Sequence, residues 1–396
     1  MNEIPEDILT SYEDILKKTD LALLFKERQK KIFSLMEENK IDVALFSDFE
    51  ESRDVTVRYL TGHPSDALLL LYNNKSTLIP WDENLAEKKA HTDKMLPYTN
   101  FNRVKTEAVK ECLKEVRPKF TNKIRLALPS SISHLDFLKF QGELENAELL
   151  CSEEEDSLAK KIESMRAQKD AYEVACTVKA CTITSAMTDI IVSKVAEGTI
   201  KTESDVALFI EKELREKGCE RTSFDTLAAG PSRSFAIHAF PGYTSSSWSS
   251  RGLSILDYGV CYEGYASDCT ITIAKGPLSA GQSELLDLVQ NAADECLKLY
   301  KNGKAILDAA KKAEEIFAQA GKAMPHSLGH GTGLEIHEAP FISLRAKEDS
   351  VFKEGNIVTL EPGLYYPELG GCRLENDILI TKDGNKLLTN SKIFRI

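Results

Sequence analysis

The residues with the clearest potential for chemistry lie close together, in the segment 326–338. Three of the seven histidines of the chain fall in it, namely His326, His330 and His337, with glycines between them at 329, 331 and 333. Each glycine costs roughly 1 kcal/mol relative to alanine in a helix, so this spacing predicts a strand or tight loop whose backbone passes close to a ligand. Imidazoles on such a segment can bind a metal ion or transfer protons.

Four carboxylates occur where an unpaired charge is costly. Asp257 and Glu361 each sit inside an apolar, strand-like run, and Asp268 and Glu375 lie on the strands that follow them. A buried ionised carboxylate needs a cation, a proton or an arginine. Any one of them is equally well explained as an edge or turn residue that faces water. Four of them, two per strand pair with the histidine segment between the pairs, favour one shared site.

The donor types indicate a pair of metal ions. Alternation along the last strand puts Arg373, Glu375 and Asp377 on one face. One arginine cannot neutralise four carboxylates, whereas two divalent ions can. An oxygen-rich donor set with few nitrogens favours Mn, Co, Fe or Zn in a paired site. Two such ions about 3.5–4 Å apart can share one hydroxide and polarise a carbonyl. The pattern alone does not choose among the three histidines.

Other catalytic motifs fit poorly. His337-Glu338 begins like the helix of a zincin, but Pro340 follows and the second histidine of that motif is missing. The glycines at 329–333 lack the G-x-G-x-x-G spacing of a dinucleotide fold, and the chain has neither a G-x-S-x-G elbow nor a Walker loop.

Composition limits the class of protein. A chain of 396 residues exceeds one ordinary core, so two or three domains are expected. Its 42% hydrophobic and 28% charged residues are typical of a soluble globular protein. The formal charge of −12 disfavours nucleic acid as a partner, because neutralising phosphates needs clustered Lys and Arg. Nine cysteines without a C-x-x-C pair predict free thiols and a cytoplasmic location.

Neither a leader nor a membrane segment is expected. Residues 1–7 are acidic and have no apolar core, unlike a signal peptide. The most apolar run, 67–72, is far shorter than the ~20 residues that a membrane span needs. We therefore expect no membrane partner.

The segment 1–155 predicts a smaller α/β domain, in which short apolar strands alternate with helices. After about twenty residues that suggest one short helix, apolar residues recur at helical spacing over Leu21–Glu38. The remaining elements are strands at 42–46, 66–72, 76–80 and 124–128 and helical patterns near 103–116 and 133–143. The acidic run 152–156 is the predicted boundary.

The segment 156–396 predicts an α+β domain with an internal repeat. It opens with one long helix from Leu158 to about Val192 and a second over Glu203–Lys217. Two halves follow, and in each of them helices precede a strand pair that carries two carboxylates. The predicted elements are a hairpin over 253–273, helices at 280–301 and 304–320, and strands at 356–364 and 372–381. Two similar halves predict a pseudo-two-fold domain with its site at the centre.

The motifs in this order resemble a known family. They are Asp257-x-Gly259, Gly264-Tyr265-x-Ser267-Asp268-x-Thr270, His326-x-x-Gly329-His330-Gly331-x-Gly333-x-x-x-His337-Glu338-x-Pro340, Glu361-Pro362-Gly363-x-Tyr365 and Arg373-x-Glu375. From about residue 160 to 396 they resemble the Xaa-Pro aminopeptidase and prolidase family of pita-bread metallopeptidases. Arg58-Tyr59-Leu60-Thr61-Gly62 resembles, more weakly, the creatinase-type N-terminal domain. The resemblance implies a pita-bread catalytic domain over 156–396, preceded by a creatinase-like domain over 1–155.

The resemblance also implies a role for each residue at a matching position. Two divalent ions, manganese first and Co, Zn or Fe as alternatives, would be held by Asp257, Asp268, His330, Glu361 and Glu375. Asp268 and Glu375 would bridge the ions, and Glu361 would be the general base for a metal-bridging hydroxide that acts as nucleophile.

The remaining implied roles concern substrate and protons. His238 and His337 would handle substrate and proton transfer. His326 would line the pocket on the proline side, and Arg373 would orient Glu375 and meet the substrate.

The implied activity is hydrolysis of the bond between an N-terminal residue and proline, by a homodimer that acts on proline-containing peptides. The resemblance covers Xaa-Pro dipeptidases and aminopeptidases that take longer peptides alike. Two alternatives are a metal-free creatinase-like hydrolase of a small C–N substrate and a non-catalytic peptide-binding member of the same fold. One departure is Thr270-Ile271-Thr272, where the family often has Thr-Arg-Thr. It predicts altered support of the ligands and retained activity.

Overall fold

The computed structural model describes residues 6–396, and their side chains from residue 10 onward. Most of the segment on which the signal-peptide expectation depends lies outside these residues. The chain forms two compact units, one of residues 19–165 and one that joins the helix α1 (Glu6–Lys18) to residues 166–396. The division falls after Met165, whereas the acidic run predicts it after residue 155.

The unit of residues 19–165 is built around one mixed sheet of six strands in the order β4-β3-β2-β1-β5-β6. The helices are α2 (Leu21–Glu38), α3 (Thr56–Thr61), α4 (Glu83–Lys89), α5 (Lys105–Leu113) and α6 (His134–Glu143), and the strands are β1 (Val43–Asp48), β2 (Ala67–Tyr72), β3 (Lys75–Pro80), β4 (Lys94–Met95), β5 (Ile124–Ala127) and β6 (Ala147–Leu150). These elements confirm the predicted α/β character. Helix α2 starts at Leu21 because the side chain of Asp20 caps it, accepting from the Leu23 N–H over 3.1 Å.

The unit that contains residues 166–396 combines long helices with a nine-stranded sheet. The helices are α7 (Leu158–Ala167), inside which the two units divide, α8 (Ala171–Ala196), α9 (Glu203–Glu216), α10 (Ala280–Leu297) and α11 (Ile306–Gln319). The strands are β7 (Arg221–Thr222), β8 (Leu227–Ala229), β9 (Gly252–Tyr258), β10 (Val260–Tyr262), β11 (Tyr265–Ala266), β12 (Cys269–Lys275), β13 (Gly329–Gly331), β14 (Glu338–Ile342), β15 (Ile357–Leu360), β16 (Gly363–Tyr366), β17 (Gly370–Arg373), β18 (Glu375–Thr381), β19 (Gly384–Leu387) and β20 (Ile393–Arg395).

The prediction of one helix from Leu158 to about Val192 is wrong, because α7 and α8 are separated at residues 168–170. The separation is fixed by contacts from distant parts of the chain. The Lys169 N–H donates to the Gly355 carbonyl over 3.0 Å instead of continuing the helix. Asp170 then starts α8 through a reciprocal capping box with Glu173.

The central sheet joins the two predicted strand pairs and confirms both of them. Its order is β14-β13-β15-β18-β12-β9-β8, with β19 beside β18 and β20 beside β12. Strand β9 pairs with β12 and β15 pairs with β18, both antiparallel. Strands β12 and β18 then pair with each other, with Thr270 opposite Glu375. One sheet therefore contains both of the strand pairs that position the four carboxylates.

Helix α8 is the one described helix that is long and apolar enough to cross a membrane, judged by length and composition alone. Of its most apolar stretch, 67% is buried inside the protein. It packs on α1 and on strands β10 and β11. Its apolar residues are therefore accounted for by packing within this unit.

Candidate metal centre

All nine residues predicted to form the site line a single cavity of about 1050 Å³ in the unit that contains residues 166–396. They are His238, Asp257, Asp268, His326, His330, His337, Glu361, Arg373 and Glu375. Residues more than a hundred positions apart in sequence thus meet in one place.

The pairing of the central strands brings the four carboxylates together. Thr270 of β12 lies opposite Asp257 on β9 and opposite Glu375 on β18. Asp268 directly precedes β12, and Glu361 directly follows β15. The carboxylates of both strand pairs consequently face one cavity, as the internal repeat predicts.

His330 reaches these carboxylates from β13. Its Nε2 lies 3.6 Å from Asp268 Oδ2, 3.7 Å from Glu361 Oε1 and 4.0 Å from Glu375 Oε1. The flanking glycine at 329 is needed for this approach, because a Cβ there would lie 2.1 Å from the Thr359 carbonyl oxygen of the neighbouring strand. Asp268, His330 and Glu375 offer donor atoms within 4.8 Å of one another, which is the spacing of ligands around one ion.

The hydrogen bonding of His330 fixes the tautomer that metal binding requires. Its Nδ1 lies 3.0 Å from the Gly331 carbonyl oxygen, which can only accept, so Nδ1 carries the proton. The lone pair of Nε2 then faces three carboxylates. This arrangement is repulsive unless a cation lies between the donors, and a second partner on Nδ1 is typical of metal-ligating histidines.

Two of the carboxylates each have an oxygen atom that lacks a hydrogen-bond partner among the described residues. Asp257 Oδ1 and Asp268 Oδ1 are buried and have no hydrogen-bond partner among the described residues. Burial, with repulsion from the other carboxylates, raises the pKa of Asp268 and of Glu375 well above the usual range. Burial also raises the pKa of Glu361 to about 8, although the charge of Arg373 opposes this shift. Together with the neutral His330, this donor set fits divalent cations.

Arg373 contacts two of the carboxylates, one directly and one through a hydroxyl. Its Nη2 donates directly to Asp257 Oδ2 over 2.6 Å. Glu375 is reached only through Thr270, whose hydroxyl accepts from Arg373 Nε over 3.0 Å and donates to Glu375 Oε2 over 2.8 Å. Arg373 thus pairs with Asp257 and orients Glu375 through one intervening hydroxyl.

The three other histidines surround the carboxylates. His326 Nδ1 lies 3.7 Å from Glu361 Oε2, and burial lowers the pKa of His326 to about 4. The ring of His337 stands edge to face against His330, with centroids 4.4 Å apart, and burial lowers its pKa as well. His238 is exposed and lines the same cavity from the loop before β9.

Two supporting residues were not assigned a role from the sequence. The Tyr365 hydroxyl accepts from Arg373 Nη1 over 2.7 Å and lies 3.0 Å from His326 Nε2. Asp377 accepts the backbone N–H of Asp268 over 2.7 Å and the thiol of Cys181 over 3.3 Å. The alternation that placed Asp377 on the face of Glu375 was the signal for the second residue, and the E-P-G-x-Y motif was the signal for the first.

The departure at Ile271 lies away from the ligands. Thr270 and Thr272 face the cavity side of β12, where they bond to Glu375 and Arg373. Ile271 is fully buried on the other face, in an apolar cluster with Leu256 and Tyr258. The structure therefore places position 271 in the core, so the substitution leaves the hydrogen bonds of Thr270 and Thr272 in place.

The comparisons with known proteins agree with this geometry. Residues 175–382 match metallopeptidase family M24, and residues 28–168 match the creatinase/prolidase N-terminal domain. The Xaa-Pro dipeptidase of Pyrococcus furiosus is 32% identical over 372 residues, covering 93% of this chain and 99% of the relative.

Solved structures are similar to this chain along most of its length. The prolidase of Pyrococcus horikoshii OT3 superposes with a TM-score of 0.79 at 28% identity, over 93% of this chain and 99% of that one. The X-Pro aminopeptidase of Thermotoga maritima MSB8 has the same TM-score at 26% identity and the same coverage. These findings confirm the predicted family and its fold, a creatinase-type N-terminal domain and a pita-bread catalytic domain. The chain belongs to metallopeptidase family M24 and is a hydrolase of a family that uses divalent metal ions.

Proposed function

We propose that this enzyme hydrolyses the peptide bond between an N-terminal residue and proline, as an Xaa-Pro dipeptidase or Xaa-Pro aminopeptidase. The single observation that carries the proposal is the convergence of three carboxylates on the unprotonated Nε2 of His330, in a cavity that Asp257 also lines. The relatives named for Xaa-Pro cleavage support this choice of substrate, since they match along almost the entire chain.

Five residues would hold the metal ions: Asp257, Asp268, His330, Glu361 and Glu375. Two divalent ions bound there would polarise the scissile carbonyl and lower the pKa of a water molecule. We propose manganese as the native metal, with Co, Zn or Fe as alternatives, because the donors are mainly carboxylate oxygens. The bridging positions proposed for Asp268 and Glu375 are supported by their location between the two strand pairs.

Glu361 is proposed as the general base. Its side chain is 18% exposed toward the cavity, compared with 5% for Asp268 and 3% for Glu375. It is therefore the carboxylate of these three that reaches an attacking water most readily. A carboxylate placed within hydrogen-bond distance of that water can accept its proton as the new bond forms.

The histidines and Arg373 complete the proposed mechanism. His337 and His238 are proposed to bind the peptide and to supply a proton to the leaving nitrogen. His326, which is held by the Tyr365 hydroxyl, is proposed to line the pocket for proline. Arg373 is almost fully buried, so its proposed contribution is mainly to keep Asp257 in place. Because it also lines the cavity, the small exposed part of its side chain is proposed to meet the substrate.

The alternatives lead to different results in a metal analysis. A metal-free creatinase-like hydrolase would need partners within the protein for the buried oxygens of Asp257 and Asp268, and the described residues offer none. About two ions per chain, as a paired site requires, would exclude this alternative. A non-catalytic peptide binder would bind metal and leave every proline peptide intact.

The test is an assay of Glu361→Gln on an Xaa-Pro dipeptide and an Xaa-Pro tripeptide, each with added Mn²⁺. We expect turnover to fall by roughly 10²–10⁴-fold, because the general base is lost. Glu211→Gln is a matched control, since Glu211 lines the same cavity outside the carboxylate group and should leave turnover unchanged. Near-normal activity of Glu361→Gln would refute the assignment, and the ratio of dipeptide to tripeptide cleavage would distinguish the two enzyme classes.

The setting of the enzyme is also part of the proposal. All nine cysteines are thiols in the structure, which supports a reducing cytoplasm. The net charge of −12 supports a peptide partner over nucleic acid or an anionic membrane surface. We further propose a homodimer, as the family resemblance implies, which sedimentation equilibrium of the purified enzyme would test.

A further inference from the structure

A second group of buried charges lies directly behind the cavity residue His337 and has no part in the mechanism above. It consists of Glu338, Arg166 and Lys169, whose side chains are 4%, 9% and 0% exposed. Arg166 Nη2 donates to Glu338 Oε2 and Lys169 Nζ donates to Glu338 Oε1, each over 2.5 Å. Burial by itself raises the pKa of the Glu338 carboxyl, but the charges of Lys169 and Arg166 outweigh it and hold that pKa below its usual range.

Glu338 closes the loop that carries His337. This loop, residues 332–337, joins β13 to β14, and its ends are fixed because Gly331 pairs with Glu338. The carboxylate of Glu338 folds back against the loop, since a Cβ on Gly333 would lie 2.4 Å from Glu338 Oε1. On its other side the loop is held by the Ala266 N–H, which donates to the Gly333 carbonyl over 2.7 Å.

The two cations stand on a fixed support. Arg166 lies in the last turn of α7, and Lys169 lies in the junction before α8. This junction is bonded to the segment just before β15, through the Lys169 N–H to the Gly355 carbonyl and through Asn356 Nδ2 to the Ala167 carbonyl over 2.8 Å. Strand β15 leads to Glu361. The same junction therefore contacts the His337 loop and the strand that presents the general base.

We propose that Glu338 is a positioning residue that acts through His337. Held by Lys169 and Arg166, its carboxylate fixes the loop 332–337 and so sets the place of the His337 imidazole beside His330. Because His337 is the residue directly before Glu338, any movement of Glu338 displaces that imidazole. The inference rests on the proposed function only because it assumes that His337 takes part in the reaction. The positioning of the His337 imidazole by Glu338 does not depend on that function.

The kinetic test compares Glu338→Gln in the wild-type and the His337→Ala backgrounds. With His337 present, we expect kcat on an Xaa-Pro dipeptide to fall by about 10–100-fold, because a misplaced group loses its geometric advantage. KM and the metal content should stay near the wild-type values. With His337 absent, the same substitution should change kcat by less than about twofold, since residues that act through one another are not additive.

Glu335→Gln is the matched control. Glu335 also accepts from Arg166 Nη2, over 2.7 Å, but its side chain is 49% exposed. It should leave kcat unchanged. Equal losses of kcat for Glu338→Gln with and without His337 would overturn the proposal, because Glu338 would then act by another route.

A measurement that needs no activity separates positioning from folding and from the proposed function. Glu338→Gln leaves the Lys169 ammonium buried and unpaired, so the double variant Lys169→Met/Glu338→Gln is examined beside it. In ¹⁵N-histidine-labelled protein at fixed pH, we expect the His337 imidazole resonance, assigned with His337→Ala, to move in both variants while that of His63 stays. An unmoved His337 resonance, or failure of both variants to fold, overturns the proposal. A wild-type enzyme that cleaves no Xaa-Pro peptide would instead refute the proposed function, and the resonance would still decide the positioning.

Discussion

Buried carboxylates occur in two contrasting arrangements within the unit that contains residues 166–396. Glu203 and Glu338 are fully paired by the protein. Glu203 Oε1 accepts the Gly230 N–H over 2.8 Å, and its Oε2 accepts from Arg233 and from the N–H and hydroxyl of Thr244. In the cavity, by contrast, Asp257 and Asp268 each keep a buried oxygen without a partner among the described residues.

The difference is the one we expect between a structural carboxylate and a proposed metal ligand. Both kinds are buried, and burial of an unpaired charge is costly. Where the fold supplies cations and N–H groups, the carboxylate holds a loop in place. Where it supplies too few, the missing charge must come from outside the chain. Incomplete pairing also occurs at Asp377 Oδ1, so it supports Asp257 and Asp268 as candidate ligands only together with their place in the cavity beside His330.

The sharpest way to break this comparison is Asp268→Asn, with and without chelator. With metal present we expect kcat/KM to fall by more than ~10³-fold, because several kcal/mol of charge stabilisation depend on the ions. In EDTA the variant should unfold at the same or a higher temperature than the wild type, since it relieves the burial and carboxylate repulsion that raise the pKa of Asp268. Scanning calorimetry of both proteins measures this. A clear destabilisation in EDTA would show that the protein already pairs Asp268.

The opposite result is expected for Glu203→Gln, which probes the paired class. Breaking a buried, hydrogen-bonded ion pair leaves Arg233 uncompensated, so stability should fall by about 3–5 kcal/mol. The loss should be the same with metal and with EDTA, because Glu203 lies outside the ligand group. Glu216→Gln at the exposed end of α9 serves as the control and should change stability by less than about 0.5 kcal/mol. A loss for Glu203→Gln that disappears on metal binding would contradict the division into two classes.

The sequence allowed the candidate ligands to be proposed because each lies inside a short local pattern. Asp257 and Glu361 interrupt apolar strand-like runs, and the strands that carry them pair as predicted. The family resemblance then selected His330, which the local pattern had left open among three histidines. Strand pairing is specified by alternation and turns, and both can be recognised within about twenty residues.

The paired carboxylates could not be predicted in the same way. Arg166 and Glu338 are separated by 172 positions, and Lys169 and Glu338 by 169. Glu203 follows the capping residue Thr202, where an acidic side chain is ordinarily explained by the helix dipole. The break between α7 and α8 likewise depends on distant partners, the Gly355 carbonyl and the Asn356 side-chain amide. Partners of this kind become visible only in the folded chain.

Asp48, in the unit of residues 19–165, provides an intermediate case and the smallest expected effect. Its side chain is buried, but its charge is only partly compensated. Arg53 Nη1 lies 3.4 Å from Asp48 Oδ1, and the Arg53 side chain is half exposed. The Asp54 N–H donates to the same oxygen over 3.1 Å. Burial, opposed by these two contacts, raises the pKa of Asp48 to about 6 from 3.8.

The raised pKa means that the protonated form is favoured in the folded state. The stabilisation from Asp48 is therefore complete below pH 3.8 and is lost as the pH rises through about 6. Asp48→Asn should remove this dependence of stability on pH. Relative to the wild type, the free energy of unfolding of the variant should therefore rise by on the order of 1 kcal/mol across that window, after allowing for solvent screening. Hydrogen exchange of residues 19–165, at saturating Mn²⁺ and several pH values, measures the difference. A stability difference that stays constant with pH would show that Asp48 is as fully paired as Glu203.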